Sequence, residues 1–349
     1  MRAEPEVSGL GTLGRMTRTG ETPDWPRVQL HIVTGKGGTG KTTVAAALAL
    51  ALASEGKQVL LLEVEGRQGI AQLFDVPPLP YEERRIAQGP DNGGDVYALA
   101  IDPESAMMEY LAMYYRLGRA GKALDRFGVM EFATTIAPGV RDVLLTGKLY
   151  ETANRNSRNK GARQYDAVVL DAPPTGRITR FLNVNDELAG LARMGPIKSQ
   201  ADTVTRLLRS PRTAVHFVTV LEEMPVQETA DGVRQLRDAG LPVGGVVVNL
   251  VRPQDLDTDA RTALLTRTVD PGEVVAELGA AGIDDGTTLV EPLLEEGHDH
   301  AQRRALEDAQ RELVAGIGLP TYELPKLAGG VDLAGLYELA GELCEQGLA

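Results

Sequence analysis

The sequence predicts an α/β fold: a mostly parallel, doubly wound sheet with a helical insertion. Short runs rich in β-branched residues or Leu alternate with longer segments of helical periodicity, the pattern of a parallel sheet flanked by helices. Most of these runs are apolar at nearly every position, as strands buried on both faces require. The spacing between runs is uneven, and one gap is too long for a single crossover helix.

Taken in order, Gln29–Val33 is the first strand, followed by a Gly-rich turn and an Ala/Leu-rich helix that starts near Thr42. Val59–Val64, Val96–Ile101, Ala167–Asp171, Val215–Val220 and Val246–Asn249 are further strands, and Thr321–Leu324 completes the sheet. About 65 residues separate Ile101 from Ala167, several times the usual connection. Helical periodicity at Met108, Leu111, Met113 and Tyr115, and again across Leu188–Leu208, assigns a helical subdomain to about 103–164 and 183–212. It interrupts a single domain over 27–349. Asp255–Asp299 is acidic and Gly-rich and reads as surface helices and loops. His298-Asp299-His300, in a polar stretch, reads as a solvated loop rather than a metal site. Residues 1–26 mix Glu, Arg, Gly, Thr and Pro without an apolar core, which suggests a flexible N-terminal extension and not a signal peptide.

Composition narrows the function. Among 349 residues, 36 Lys and Arg face 49 Asp and Glu, a net charge of −13. Such a surface repels phosphate backbones and anionic lipid, which disfavours nucleic acid as a partner. Cys344 is the only cysteine, so no intramolecular disulfide forms and a reducing cytoplasm fits. The longest purely apolar run, Val44–Ala53, is far short of the roughly 20 residues needed to span a bilayer.

The chemistry concentrates at Gly35-Lys36-Gly37-Gly38-Thr39-Gly40-Lys41-Thr42, which satisfies G-x-x-x-x-G-K-[ST] between a buried strand and a helix. Glycines let successive backbone N–H groups turn toward phosphate oxygens, and the helix N-terminus adds partial positive charge. Lys41 is placed to neutralise the β/γ-phosphates and Thr42 to ligate Mg²⁺, with Thr43 counted among the nucleotide-binding residues. This is a P-loop NTPase signature for ATP with Mg²⁺. Ala167–Leu170 followed by Asp171 has the form of a strand delivering a carboxylate to that cation. Val246–Val248 delivers Asn249 to the sheet edge, either as a turn residue or as a hydrogen-bonding partner for adenine.

Lys36, a second lysine inside the loop, is either a solvated charge or a group for another nucleotide. With it the sequence resembles the deviant Walker A ATPases, which include the arsenical pump-driving, tail-anchored protein targeting, and cell-division and partition ATPases. The resemblance implies that Lys36 reaches the partner subunit's nucleotide across a dimer interface, as an arginine finger does. Asp171-Ala172-Pro173-Pro174-Thr175-Gly176 and the following Arg177–Leu182 resemble the second switch of the arsenical and tail-anchored targeting branches. Leu324-Pro325-Lys326 resembles their base-contacting Pro loop. The likeness runs from about Val28 to Leu343, and Leu62–Asp75 is most similar to actinobacterial anion-transporting ATPase-like proteins. It implies a cytoplasmic dimeric ATPase, either a homodimer or a heterodimer with a paralogous subunit. Nucleotide state would be coupled to subunit closure and to a hydrophobic client or membrane partner.

Two departures qualify that expectation. Glu65 stands where the family's first switch has a water-orienting Asp, with Gly66, Arg67 and Gln68 replacing the rest of a D-P-A-H pattern. The carboxylate is kept but displaced by a methylene, so low turnover, with the chain acting as a regulatory or scaffold subunit, is the alternative reading. Cys344 alone supports neither metalloid sensing nor an interfacial zinc. Among weaker signals, Met107, Met108, Met113, Met130 and Met194 read as core packing ahead of a client groove. The acidic amphipathic helix around Leu333–Leu343 reads as docked on its own sheet.

Overall fold

The computed structural model describes residues 24–90, 93–115, 139–155, 162–191 and 196–349. In chain order the elements are β1 (Leu30–Gly35), α1 (Lys41–Ser54), β2 (Val59–Glu63), α2 (Gly69–Leu73), β3 (Arg84–Gln88), β4 (Asp95–Ala100), α3 (Pro103–Tyr115), α4 (Val140–Ala153) and β5 (Ala167–Asp171). Then come α5 (Thr175–Leu191), α6 (Pro196–Leu208), β6 (Thr213–Thr219), α7 (Glu223–Asp238), β7 (Val243–Val251), α8 (Thr258–Leu265), α9 (Pro271–Ala280), α10 (Gly286–Ala315), β8 (Thr321–Pro325) and α11 (Leu333–Glu345).

The strands form one sheet in the order β3-β4-β2-β5-β1-β6-β7-β8. Every pairing is parallel except β3 with β4. From the centre at β1 the chain winds first toward β4, returns through β5, and then winds the other way through β6, β7 and β8. The order reverses around β1, where open α/β sheets bind ligands at the strands' C-terminal ends.

The uniformly apolar strands are explained by two cores. Leu30, Ile32, Leu60, Leu62, Val168 and Leu170 face one side, under α3–α7. Val33, Leu61, Val169, Val218 and Val247 face the other, under α1 and α11. Helix α1 is apolar all round because it is covered on both sides: Val44–Ala53 are all buried. Helix α11 docks chiefly on α1, and beside β8, through Leu336, Leu339, Ala340 and Leu343, so it reaches the sheet mostly through the helix that covers it and not directly as its sequence suggested. Asp332 starts α11 by accepting from the Gly335 amide at 2.8 Å.

Several expectations shift. β3, Arg-Arg-Ile-Ala-Gln, is an antiparallel edge strand that no apolar run announces. β7 continues past Asn249 to Val251, with a register break between Val248 and Val251 and a left-handed Leu250 at φ 59°. His298-Asp299-His300 is not a loop but the middle of α10, a 30-residue helix. His298 is buried there, its Nδ1 2.9 Å from the Leu264 carbonyl and its Nε2 2.8 Å from Gln302. Asp24 and Trp25, read as part of the N-terminal extension, are tied down: the Asp24 amide donates to Gly347 O at 2.9 Å and Trp25 Nε1 to Tyr322 Oη at 3.0 Å. Met107 packs against the core under α3–α7. Residues 1–23, Met130 and Met194 lie outside the described residues. Among the described residues, no helix is long and apolar enough to cross a membrane.

Candidate functional site

The Gly-rich loop lies between the end of β1 and the start of α1, and two glycines have specific tasks. A Cβ on Gly35 would sit 2.2 Å from the Val218 carbonyl oxygen, so only glycine lets β1 run beside β6 there. Gly40 has φ 86° and a Cβ on it would lie 2.3 Å from Asn249 Nδ2. Thr39 Oγ1 donates to the Lys36 carbonyl at 2.9 Å, and Lys41 Nζ donates to the same oxygen at 3.3 Å. The loop therefore closes on itself with Lys41 across its mouth, and Gly37 and Gly38 form its outer turn. Thr43 follows in the first turn of α1, half-buried.

Thr42 and Asp171, 129 positions apart, are brought together by the β1–β5 pairing: Thr42 Oγ1 donates to Asp171 Oδ2 at 2.7 Å. Burial pushes the Asp171 carboxyl up to about 6, against the opposing effects of the Thr42 hydrogen bond and the Lys41 charge. Glu63 and Glu65 push it in the same direction as burial. Burial also lowers the Lys41 ammonium from its ordinary value, while Asp171 and Glu65 hold it up. Lys41, Thr42, Asp171 and Glu65 thus form one electrostatic unit. A hydroxyl and a carboxylate at the mouth of an N–H-lined loop are the oxygen donors Mg²⁺ takes beside nucleotide phosphates.

The first switch segment stands against this unit, since a Cβ on Gly69 would meet Thr42 Cγ2 at 3.2 Å. Its Glu65 lies 3.6 Å from Arg67 Nε. Gln68 is clamped by its side chain to both backbone groups of Leu79, at 2.7 and 3.2 Å. The second switch is anchored too, with Thr34 Oγ1 donating to Pro173 O at 2.7 Å. Between the switches lies a polar cleft of about 190 Å³ bounded by Glu65, Arg67, Arg141, Asp142, Pro173 and Arg177. Arg141, from α4, donates to the Val64 carbonyl at 3.1 Å and so links the helical layer to the first switch.

Lys36 forms an ion pair with Glu228 of α7 at 3.0 Å within its own chain. Asn249, 4% exposed, donates its Nδ2 to Thr39 O at 2.9 Å and braces the loop from β7. Pro325 ends β8 opposite Val251, and Asn249 lies within the register break between Val248 and Val251. The sequence reading missed Glu228, Arg141 and Glu63. Of these, only Glu63 had a local signal, a charge ending the apolar run Val59–Leu62.

Comparison with known proteins follows the same lines. The family model described as anion-transporting ATPase matches residues 28–210. The ATPase BagA of Mycobacterium tuberculosis is 50% identical over 333 residues, covering 94% of this chain and 97% of that protein. The arsenical pump-driving ATPase of Acidiphilium multivorum is 26% identical over 276 residues, 74% of this chain and 46% of that protein. The ATPase GET3 of Kluyveromyces lactis is 26% identical over 251 residues, 62% of this chain and 70% of that protein.

Proposed function

The chain belongs to the anion-transporting ATPase family and is an ATPase, and we propose that it is a cytoplasmic dimeric ATPase whose nucleotide state reshapes the helical layer for a hydrophobic client or membrane partner. The observation that carries the reading is the convergence of Lys41, Thr42 and Asp171 at the mouth of the Gly35–Thr42 loop. The loop amides and Lys41 hold the ATP phosphates, with the adenine toward Asn249 and Pro325. Thr42 and Asp171 would hold Mg²⁺, which would supply charge neutralisation for the nucleotide phosphates. Glu65 orients the attacking water. Lys36 exchanges Glu228 for the nucleotide of a partner subunit, either a second copy or a paralogue, so that closure and hydrolysis are linked. Arg141, joining α4 to Val64, offers a direct route from the first switch to the helices.

A second reading, a low-turnover regulatory subunit that works with a competent paralogue, is favoured by the Arg67 guanidinium 3.6 Å from Glu65, because a neighbouring positive charge makes the carboxylate a weaker base toward water. Calorimetry and phosphate release test both readings. Lys41→Ala should abolish ATP binding, and wild-type affinity in that variant would remove the phosphate-loop assignment. Glu65→Gln should slow hydrolysis at least tenfold, about 1.4 kcal/mol of barrier, if Glu65 is the water-orienting group. An already slow wild type that Glu65→Gln leaves unchanged selects the regulatory reading.

A further inference from the structure

Glu63 ends β2, and its Cα register partner on β5 is Asp171. Side chains in register on neighbouring parallel strands project to the same face, with backbones about 4.8 Å apart. Leu61 and Val169, two residues earlier on each strand, lie in the core under α1, so Glu63 and Asp171 both project toward the face on which Thr42 opens that helix. On its other side Glu63 is in register with Ala100, which offers no polar side chain. The Glu63 side chain is 2% exposed, and its Oε2 has no hydrogen-bond partner among the described residues. A buried carboxyl oxygen left unpaired is costly, and a second carboxyl alongside adds to that cost unless a cation is shared.

We infer that Glu63 is a second carboxylate of the divalent-cation site, its Oε2 accepting from a water in the coordination shell of the ion that Thr42 and Asp171 hold. The fit is to Mg²⁺ or Mn²⁺ in particular. These ions retain several waters and take one or two carboxylates together with nucleotide phosphates. Among the described residues there is no set of three or more His, Cys, Asp or Glu able to hold a metal without such help. A charge at the end of a wholly apolar strand then has a use: the strand places it beside Asp171, and the ion supplies the partner that the protein does not.

The inference rests on the nucleotide reading above, and the test separates the two. Mn²⁺ affinity of the ADP complex is measured by electron paramagnetic resonance for wild type, Glu63→Gln and Asp171→Asn, and ADP affinity is measured separately in EDTA. Glu63→Gln should weaken Mn²⁺ about tenfold and leave the cation-free ADP affinity unchanged, while Asp171→Asn should weaken Mn²⁺ further. Glu63→Gln should also melt no lower than wild type in EDTA and gain less from Mn²⁺·ADP. Glu63→Ser, which removes the carboxyl with no amide to accommodate, carries the same expectation if the Gln variant does not fold. Mn²⁺ affinity equal to wild type in either folded variant would overturn the inference. Failure of ADP to bind wild type with or without Mn²⁺ would overturn the nucleotide reading and this inference with it.

Discussion

Lowering the pH from 7.5 to 5 acts on a pair of histidines that no part of the nucleotide site uses. His31 on β1 and His216 on β6 are both fully buried, with His31 Nδ1 3.1 Å from His216 Nε2 and the rings stacked at 5.3 Å. The Gly245 amide donates to His216 Nδ1 at 3.2 Å. His216 must therefore carry its proton on Nε2 and donate it to His31. Each ring nitrogen open to a proton is already accepting a hydrogen bond. The Trp25 ring sits edge-on over His216 at 5.5 Å and excludes water. Burial lowers His216 from 6.5 to about 4. His31 is lowered as well, by burial first and then by the His216 and Lys57 charges. The unfolded chain thus binds protons between pH 6.5 and 4 that the folded chain refuses, so this stability is complete above pH 6.5 and is lost as the pH falls toward 4. At pH 5 the loss from His216 alone is about 2 kcal/mol. Asp171, raised from 3.8 to about 6, works in the opposite sense and returns about 1.4 kcal/mol at pH 5 in the cation-free protein. Comparison with His216→Gln cancels that term. Urea unfolding at the two pH values should show wild type losing about 2 kcal/mol more than the variant. Equal losses in the two proteins would refute the buried neutral pair.

Two further perturbations probe the loop. Gly40→Ala forces a left-handed alanine, about 1–2 kcal/mol, and drives a Cβ into Asn249 Nδ2; ATP affinity by calorimetry should fall about tenfold, and unchanged affinity would mean that Asn249 does not brace the loop. Glu228→Gln frees Lys36 from a half-exposed ion pair worth about 0.2–1 kcal/mol, so ATP-dependent association, read by light scattering, should strengthen by up to about fivefold. Weaker association would mean that Glu228 positions Lys36 for its partner instead of restraining it.

The legible parts of the fold were those where one physical demand dominates. Val59–Leu62 and Ala167–Leu170 are central strands covered on both faces, so apolarity at every position marks them. β3 carries Arg84, Arg85 and Gln88 because it lies at the sheet edge with a half-wet surface, and its pairing is set by β4 rather than by its own composition. The same limit hid the helix through His298. A helix that packs on α8 and α9 can carry Glu, Asp and Arg over most of its surface, and its local sequence looks like a loop. The loop residues of the site were legible because one contiguous motif encodes them. Glu228, Arg141 and Glu63 were not, because their roles depend on contacts across 192, 77 and 108 positions, which only the sheet order and helix packing create.

Charge within the site follows a simple rule with one exception. Lys36 has Glu228, Glu65 has Arg67, Lys41 has the Lys36 carbonyl, and Asp171 has the Thr42 hydroxyl. On the function proposed above, phosphates, a cation, a water and a neighbouring subunit would take the place of these partners. Nucleotide entry therefore exchanges internal contacts for external ones, and the net gain per exchange is the difference between two similar interactions, not the full strength of either. A site of this kind gains selectivity from having all its exchanges made together: an anion without a cation leaves Asp171 with Thr42, and a cation without phosphates leaves Lys41 with the loop carbonyl. Glu63 Oε2 is buried and has no hydrogen-bond partner among the described residues. An ion that reaches it loses nothing in exchange there, so removal of Glu63 should be felt more in cation affinity than its distance from the phosphates alone would suggest.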